Sequence, residues 1–270
     1  MTETQEKTAH PKGLWVLFGT EMWERFNFYG MRAILTLFMV NALMLGESNA
    51  SIIYGGFLAL CYLTPLLGGF IADKYLGNRS CIMLGGTLMA IGQFLLFYSA
   101  TIYGSNLEFS KTIFWLGLFL IIFGNGFFKP NISTLLGNFY NDEQYKDRKD
   151  EGYNIFYMGI NVGAFICNFF GAALKILFGW QEAFMAAGVG MFIGVLVFML
   201  GTKHYGDKTE KKGVQEGDMP FYKIVLFILL PSLIFGVIGW LIKGITSDSN
   251  LDSSIFGSDS TDAFVFACIP

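Results

Sequence analysis

Thr20-Glu21-Met22-Trp23-Glu24-Arg25-Phe26-Asn27-Phe28-Tyr29-Gly30-Met31-Arg32 sits inside an otherwise apolar run over residues 14–41. A run of about 20 mostly apolar residues is long enough to span a bilayer as a helix. A charge at the centre of a bilayer costs roughly 2.5–3.5 kcal/mol on insertion scales, so four of them need partners or a polar lining. At ~100° per residue Glu21, Glu24, Arg25 and Arg32 fall within an arc of roughly 100°, with Tyr29 on its border. That is one polar face turned away from lipid. Glu21 and Arg25, four residues apart, are spaced to pair. Such intramembrane charges are functional candidates before they are structural ones.

The rest of the chain agrees with a membrane. Of its 270 residues 53% are hydrophobic, 14% charged and 17% aromatic, with 29 Phe and 33 Gly. Soluble domains carry about 25% charged residues. Further apolar runs are expected to span at 52–73, 81–102, 112–139, 153–175, 181–202 and 221–242. Another begins near Thr261 and reaches Pro270, so the chain is expected to be the leading part of a longer protein. The first dozen residues are polar, without a short apolar core and small-residue cleavage site, so no removable signal peptide is expected. Gly159 and Gly163 form a GxxxG pair suited to close helix packing.

Loop charge fixes an orientation. With the N-terminus in the cytoplasm, 12 of the 18 Lys and Arg residues fall on the cytoplasmic side and 3 on the other, the remaining 3 being Arg25, Arg32 and Lys129 inside spans. The positive-inside rule therefore predicts a cytoplasmic N-terminus, and the chain is expected in the cell (inner) membrane.

Depth then collects the polar groups. The fourth run reads Gly124-Asn125-Gly126-Phe127-Phe128-Lys129-Pro130-Asn131 and, with its proline and glycines, predicts a kinked helix. Counted from the cytoplasmic ends, Arg25, Lys129, Tyr62, Asn161 and Tyr157 lie within roughly 10 Å of depth at 1.5 Å per residue. Four helices thus bring polar groups to one layer. A substrate carboxylate drawing on Arg32 or Lys129 would leave a glutamate less compensated and easier to protonate. This is a physical basis for proton-coupled uptake of an anionic or zwitterionic solute. His10 and His204 lie outside the spans and are poor relay candidates.

Other classes fit less well. No basic patch alternates with aromatics, so no nucleic-acid partner is expected. Cys61, Cys81, Cys167 and Cys268 form neither a metal motif nor a disulfide framework and read as small core residues. The chain contains no HExxH, no GxSxG and no paired intramembrane aspartates, so it is not expected to be an enzyme. A membrane receptor would leave the charged layer unexplained.

Four motifs together resemble one family. Glu21-x-x-Glu24-Arg25-Phe26-x-x-Tyr29-Gly30 resembles the first-span signature of the proton-coupled oligopeptide transporters, a branch of the major facilitator superfamily. Gly69-Phe-Ile-Ala-Asp73-Lys-Tyr-Leu-Gly77-Asn-Arg79 resembles the superfamily loop between the second and third spans. Phe127-Phe128-Lys129-Pro130-Asn131-Ile132-Ser133 and Tyr153-Asn-Ile-Phe156-Tyr157-Met-Gly-Ile160-Asn161-Val-Gly163-Ala-Phe165 resemble the family's fourth- and fifth-span motifs. The resemblance covers roughly residues 14–202. One position departs from it: Phe28 stands where the signature usually has the first of two tyrosines.

The resemblance implies an all-α fold, namely the N-terminal six-helix bundle of a major facilitator protein, built as two three-helix inverted repeats. The expected organisation is a cytoplasmic N-terminus over 1–13, the bundle over 14–202 and a cytoplasmic linker over 203–220. A further helix follows over 221–242, read as an inter-bundle insert rather than a seventh transport helix. An extracytoplasmic loop and the start of the next helix occupy 243–270. The implied function is import of di- and tripeptides with protons. Glu21, Glu24 and Arg25 would serve proton coupling, and Arg32 and Lys129 would hold the peptide carboxylate. Tyr29, Tyr62, Tyr157 and Asn161 would line the pocket, and Asp73 and Arg79 would belong to a cytoplasmic gate. No cofactor is implied beyond the coupling proton. The implied partners are the peptide, the lipid bilayer and the protein's own C-terminal bundle. A family member carrying another anionic solute, such as nitrate or a peptide-like conjugate, is the alternative.

Overall fold

The computed structural model describes residues 9–205 and is helical nearly throughout. Helix α1 runs Lys12–Asn41, α2 Glu47–Ile71, α3 Asn78–Ile102, α4 Leu107–Phe139, α5 Lys149–Leu177 and α6 Trp180–Leu200. The expected span over 221–242, the linker beyond 205, the segment 243–270, Cys268 and the first eight residues lie outside the described residues.

The helices reach beyond the apolar runs, because polar ends hold their terminal turns. Asn106 caps α4, its side chain accepting from the Phe109 N–H at 3.1 Å, so the helix begins at Leu107, ahead of the apolar run that starts at 112. Asp150 and Glu151 open α5 and Lys175 lies in its last turn, the charge order that the helix dipole favours. The segment expected as a loop around Asp73 is mostly helical, since α2 continues into a π-helical turn over Ala72–Leu76. Gly77, at φ 77°, makes the reversal into α3, a conformation that a side chain would strain.

Four segments are long and apolar enough to cross a membrane: Glu47–Leu76, Asn78–Ile102, Leu107–Phe139 and Trp180–His204. Helix α1 falls short because of its charges. Large apolar side chains such as Phe94, Trp115, Phe119, Phe192 and Met199 point outward, a surface that suits lipid rather than water. The chain is a multi-pass membrane protein.

Helix pairing shows an internal repeat. Helix α1 packs on α5 and α6, α4 packs on α2 and α3, and α3 packs on α6. Exchanging the first three helices for the last three maps α1–α5 onto α4–α2 and α1–α6 onto α4–α3, and leaves α3–α6 unchanged. Successive helices alternate in direction, so the two units are inverted repeats. Helices α1 and α4 occupy equivalent places.

Glycine allows these helices to meet closely. A Cβ on Gly163 would stand 2.2 Å from the Met22 carbonyl oxygen, and one on Gly159 3.0 Å from that of Phe18. The GxxxG pair therefore seats α5 on α1. In the same way Gly85 and Gly124 join α3 to α4, and Gly190 and Gly194 seat α6 against Trp23 and Phe26.

The crossing of α2 and α4 has a further cause. Pro65 lacks an N–H and leaves the Cys61 carbonyl without its helical donor, and Asn125 Nδ2 donates to that oxygen at 2.7 Å. Pro130 likewise releases the Gly126 carbonyl, which faces the bare Cα of Gly68 so closely that a Cβ there would lie 2.0 Å away. Asn131 Nδ2 returns a 3.3 Å bond to the Gly68 carbonyl. Helix α4 continues unbroken through Pro130.

At the end of the bundle bearing the start of α1, three connections are tied together. His10 Nδ1 lies 2.8 Å from the Tyr140 hydroxyl and Arg148 Nη2 lies 2.8 Å from His10 Nε2. Arg148 also donates to Glu151 at 2.7 Å. Arginine has only N–H donors, so His10 Nε2 accepts and Nδ1–H donates to the tyrosine oxygen.

Candidate functional site

Three of the first-helix charges close on one another. Arg25 Nε donates to Glu21 Oε1 at 2.9 Å. Glu24 Oε2 stands 2.6 Å from the same nitrogen but off the N–H axis, because the single hydrogen already points to Glu21. The second contact is therefore electrostatic rather than a hydrogen bond. All three side chains are buried, Glu24 completely. Helix α5 shields them, since a Cβ on Gly163 would lie 3.1 Å from Arg25 Cβ. Glu21 Oε2, Glu24 Oε1 and Arg25 Nη2 have no hydrogen-bond partner among the described residues. With both glutamates ionised, two negative charges share one guanidinium.

Arg32 and Lys129 differ from Arg25. Neither forms an ion pair with a carboxylate among the described residues. Arg32 is half-buried one helical stretch beyond the triad, and its guanidinium carbon lies 5.9, 5.8 and 5.7 Å from the ring centroids of Phe28, Tyr29 and Tyr54. Its Nε donates to the Tyr54 hydroxyl at 2.8 Å. The Lys129 ammonium sits 4.8 Å from the centre of the Tyr62 ring. The α2–α4 crossing produces this contact, because Tyr62 follows the carbonyl held by Asn125 and Lys129 precedes Pro130.

The expected site residues thus divide. Glu21, Glu24 and Arg25 form one cluster, with Tyr29 joining it to Arg32 through a 5.9 Å cation–π contact to Arg25. Lys129 and Tyr62 form a second cluster across α2 and α4. Tyr157 and Asn161 are exposed on α5 near the level of Arg25, and no contact joins them to either cluster. Arg79 donates to Thr202 Oγ1 at 3.4 Å, tying the start of α3 to the turn after α6. Asp73 is exposed in the π-helical turn, and no Asp73–Arg79 pair is formed.

Sequence reasoning missed Tyr54. It precedes Tyr62 by about two helical turns, and nothing in an apolar run marks which aromatic meets a cation on another helix. It also missed Asn27 and Gln93, both fully buried and joined by a 2.9 Å bond from Gln93 Nε2 to Asn27 Oδ1. This bond pins α1 to α3 behind the triad.

An inverted-repeat bundle with intramembrane cations on the equivalent helices α1 and α4 is the architecture of half a secondary transporter. The chain belongs to the POT family, whose profile matches residues 79–231; its members are transporters, not enzymes. The chain is 36% identical over 200 residues to the uncharacterized transporter YclF of Bacillus subtilis, covering 72% of this chain and 38% of that one. It is 34% identical over 212 residues to dipeptide and tripeptide permease A of an Enterobacter species, covering 77% of this chain and 40% of the permease. A crystal structure of a peptide transporter POT in complex with sulfate superposes with a TM-score of 0.71 at 30% identity, over 92% of this chain and 55% of that one. The chain therefore spans about two fifths of the length of these curated relatives.

Proposed function

We infer that this chain is the first half of a proton-coupled symporter that imports di- and tripeptides, with its N-terminus in the cytoplasm of a cell whose inner membrane it spans. The observation that carries the reading is the contrast between cations. Arg25 is paired with two carboxylates, while Arg32 and Lys129 have none. A peptide's C-terminal carboxylate fits the two open cations, and Arg32 offers the forked donors that a carboxylate matches. Tyr29 and Tyr62 border those cations, and Tyr157 and Asn161 supply further polar groups at the same level. The similarity to a named dipeptide and tripeptide permease supports a peptide as the solute.

The triad supplies the coupling. Two buried carboxylates around one guanidinium leave one negative charge to be balanced. Lys129 helps to balance it while no substrate is bound. When a peptide carboxylate takes Lys129, a proton entering at Glu21 or Glu24 restores neutrality, so substrate and proton enter together. No cofactor takes part in this scheme. The Asp73–Arg79 turn, at the cytoplasmic end, belongs to the gate that closes against the second bundle.

The test is uptake by the complete protein in proteoliposomes. Accumulation of a dipeptide collapses with a protonophore, and Glu21→Gln and Lys129→Ala both abolish proton-driven accumulation. Undiminished accumulation in both variants contradicts the assignment, and inhibition by nitrate without competition by dipeptides assigns the site to another anion.

A further inference from the structure

Three rings surround the Arg32 guanidinium, but they contribute differently. Phe28 has no hydroxyl and is buried, stacked on Phe57 with centroids 6.1 Å apart. The Tyr29 ring bridges Arg25 and Arg32 by its face. Tyr54, arriving from α2, alone bonds the arginine, accepting from Nε at 2.8 Å. Helices α1 and α2 have few other contacts, so this bond is a main polar link between them at that depth.

The choice of nitrogen matters. A guanidinium bound through Nε still has Nη1 and Nη2, and neither has a partner among the described residues. Those two nitrogens form the end-on fork that grips both oxygens of a carboxylate. A free arginine side chain would sample many rotamers and lose that freedom on binding. One held at Nε has already lost much of it. We propose that Tyr54 is a positioning residue of the substrate site, anchoring Arg32 so that its two terminal nitrogens are presented as a preformed fork for the substrate carboxylate.

This inference rests on the peptide-carrier reading, and its test separates the two. Uptake of alanyl-alanine by the complete protein in proteoliposomes is measured against concentration for wild type, Tyr54→Phe, Arg32→Lys and the double variant. Phenylalanine keeps the ring and removes the hydroxyl, and lysine removes the Nε donor. Tyr54→Phe raises the half-saturating concentration about five- to tenfold with the maximal rate within about twofold, the effect of losing a bond to a charged group outside the chemical step. In the Arg32→Lys background the same change shifts it less than about twofold, because the bond no longer exists. Inhibition by alanyl-alanine amide, which has no carboxylate, is unchanged by Tyr54→Phe. An equal shift in both arginine backgrounds assigns Tyr54 to packing and overturns the proposal, as does no shift in either. Dipeptide uptake by wild type with an unaffected Tyr54→Phe variant overturns this inference alone. Absence of dipeptide uptake by wild type overturns both readings.

Discussion

Arg25 and Arg32 lie two helical turns apart on α1 and do opposite things. Arg25 is buried, bonded to Glu21 and in contact with Glu24, with Gly163 of α5 pressed against it. Arg32 is half-buried, held by a tyrosine hydroxyl among aromatic rings, and has no carboxylate. The same side chain is paired with carboxylates in one place and held only by a hydroxyl and aromatic rings in the other. What separates them is which helix faces each. The glycine-bearing α5 packs directly against Arg25, whereas aromatic α2 meets Arg32 through the Tyr54 hydroxyl at Nε. Lys129, on the repeat-equivalent helix α4, resembles Arg32 in this respect.

The sharpest way to break the comparison is to remove each arginine. Arg25→Ala leaves two buried carboxylates without a counter-charge, a loss of about 3–5 kcal/mol for a buried pair deprived of one partner. The expected outcome is a large fall in the thermal midpoint of the purified protein, or no folded protein. Arg32→Ala costs less, about 1–2 kcal/mol, since it breaks one part-buried bond and three ring contacts but leaves no carboxylate uncompensated. Equal destabilisation by the two would erase the distinction between closed and open cations.

Packing around the closed site gives the next effect. Gly163→Ala puts a methyl group 2.2 Å from the Met22 carbonyl oxygen, an overpacking that costs about 1–3 kcal/mol. Gly55→Ala on α2, where nothing lies within 4 Å, leaves the midpoint unchanged. An effect of the same size comes from the α2–α4 crossing. Asn125→Ala strips the donor from the Cys61 carbonyl and is expected to cost about 1–3 kcal/mol in thermal stability while also weakening dipeptide affinity, because the crossing sets Lys129 over Tyr62. Lost stability with unchanged affinity would separate the crossing from the site.

The smallest effect lies far from both arginines, at the His10 tie. Burial, then the Arg148 charge, holds His10 below its ordinary value, and Glu151 pulls the other way. Unfolded histidine titrates near ~6.5. Between that pH and the lower folded value, the unfolded chain carries the proton and the folded chain does not. Stability therefore falls as pH drops through that window and is constant above it. The groups facing His10 are Tyr140 at the end of α4, whose hydroxyl burial pushes up to about 12, and Arg148 and Glu151. Thermal midpoints measured from pH 7.5 to 5 should slope less in His10→Gln than in wild type; equal slopes place the acid sensitivity elsewhere.

The comparison also shows what a sequence can and cannot carry. The four charges in an apolar run were visible at once, because charge in hydrocarbon is rare enough to need a reason. Lys129 was visible for the same cause, and loop charge gave the depths that brought it level with Arg25. The glycines announced close packing without naming the partner, and only the fold shows that Gly163 presses on Arg25 and Gly68 on Gly126. Tyr54 was invisible, because an aromatic in an apolar run is ordinary until a second helix is placed beside it. Pro130 was expected to kink α4; the helix is continuous through it, and the carbonyl that Pro130 releases is met by a glycine of α2.

In the proposed cycle Arg32 and Lys129 take the substrate carboxylate, Glu21 and Glu24 take the proton, and Arg25 balances their charge. Titration calorimetry of a dipeptide into Glu21→Gln and Lys129→Gln variants of the complete protein, at equal pH, addresses it most directly. The account predicts that Glu21→Gln binds within about threefold of wild type although it no longer accumulates peptide, and that Lys129→Gln binds at least about tenfold more weakly, the loss of one charge-assisted contact. The reverse order, with affinity lost in Glu21→Gln and kept in Lys129→Gln, would contradict it.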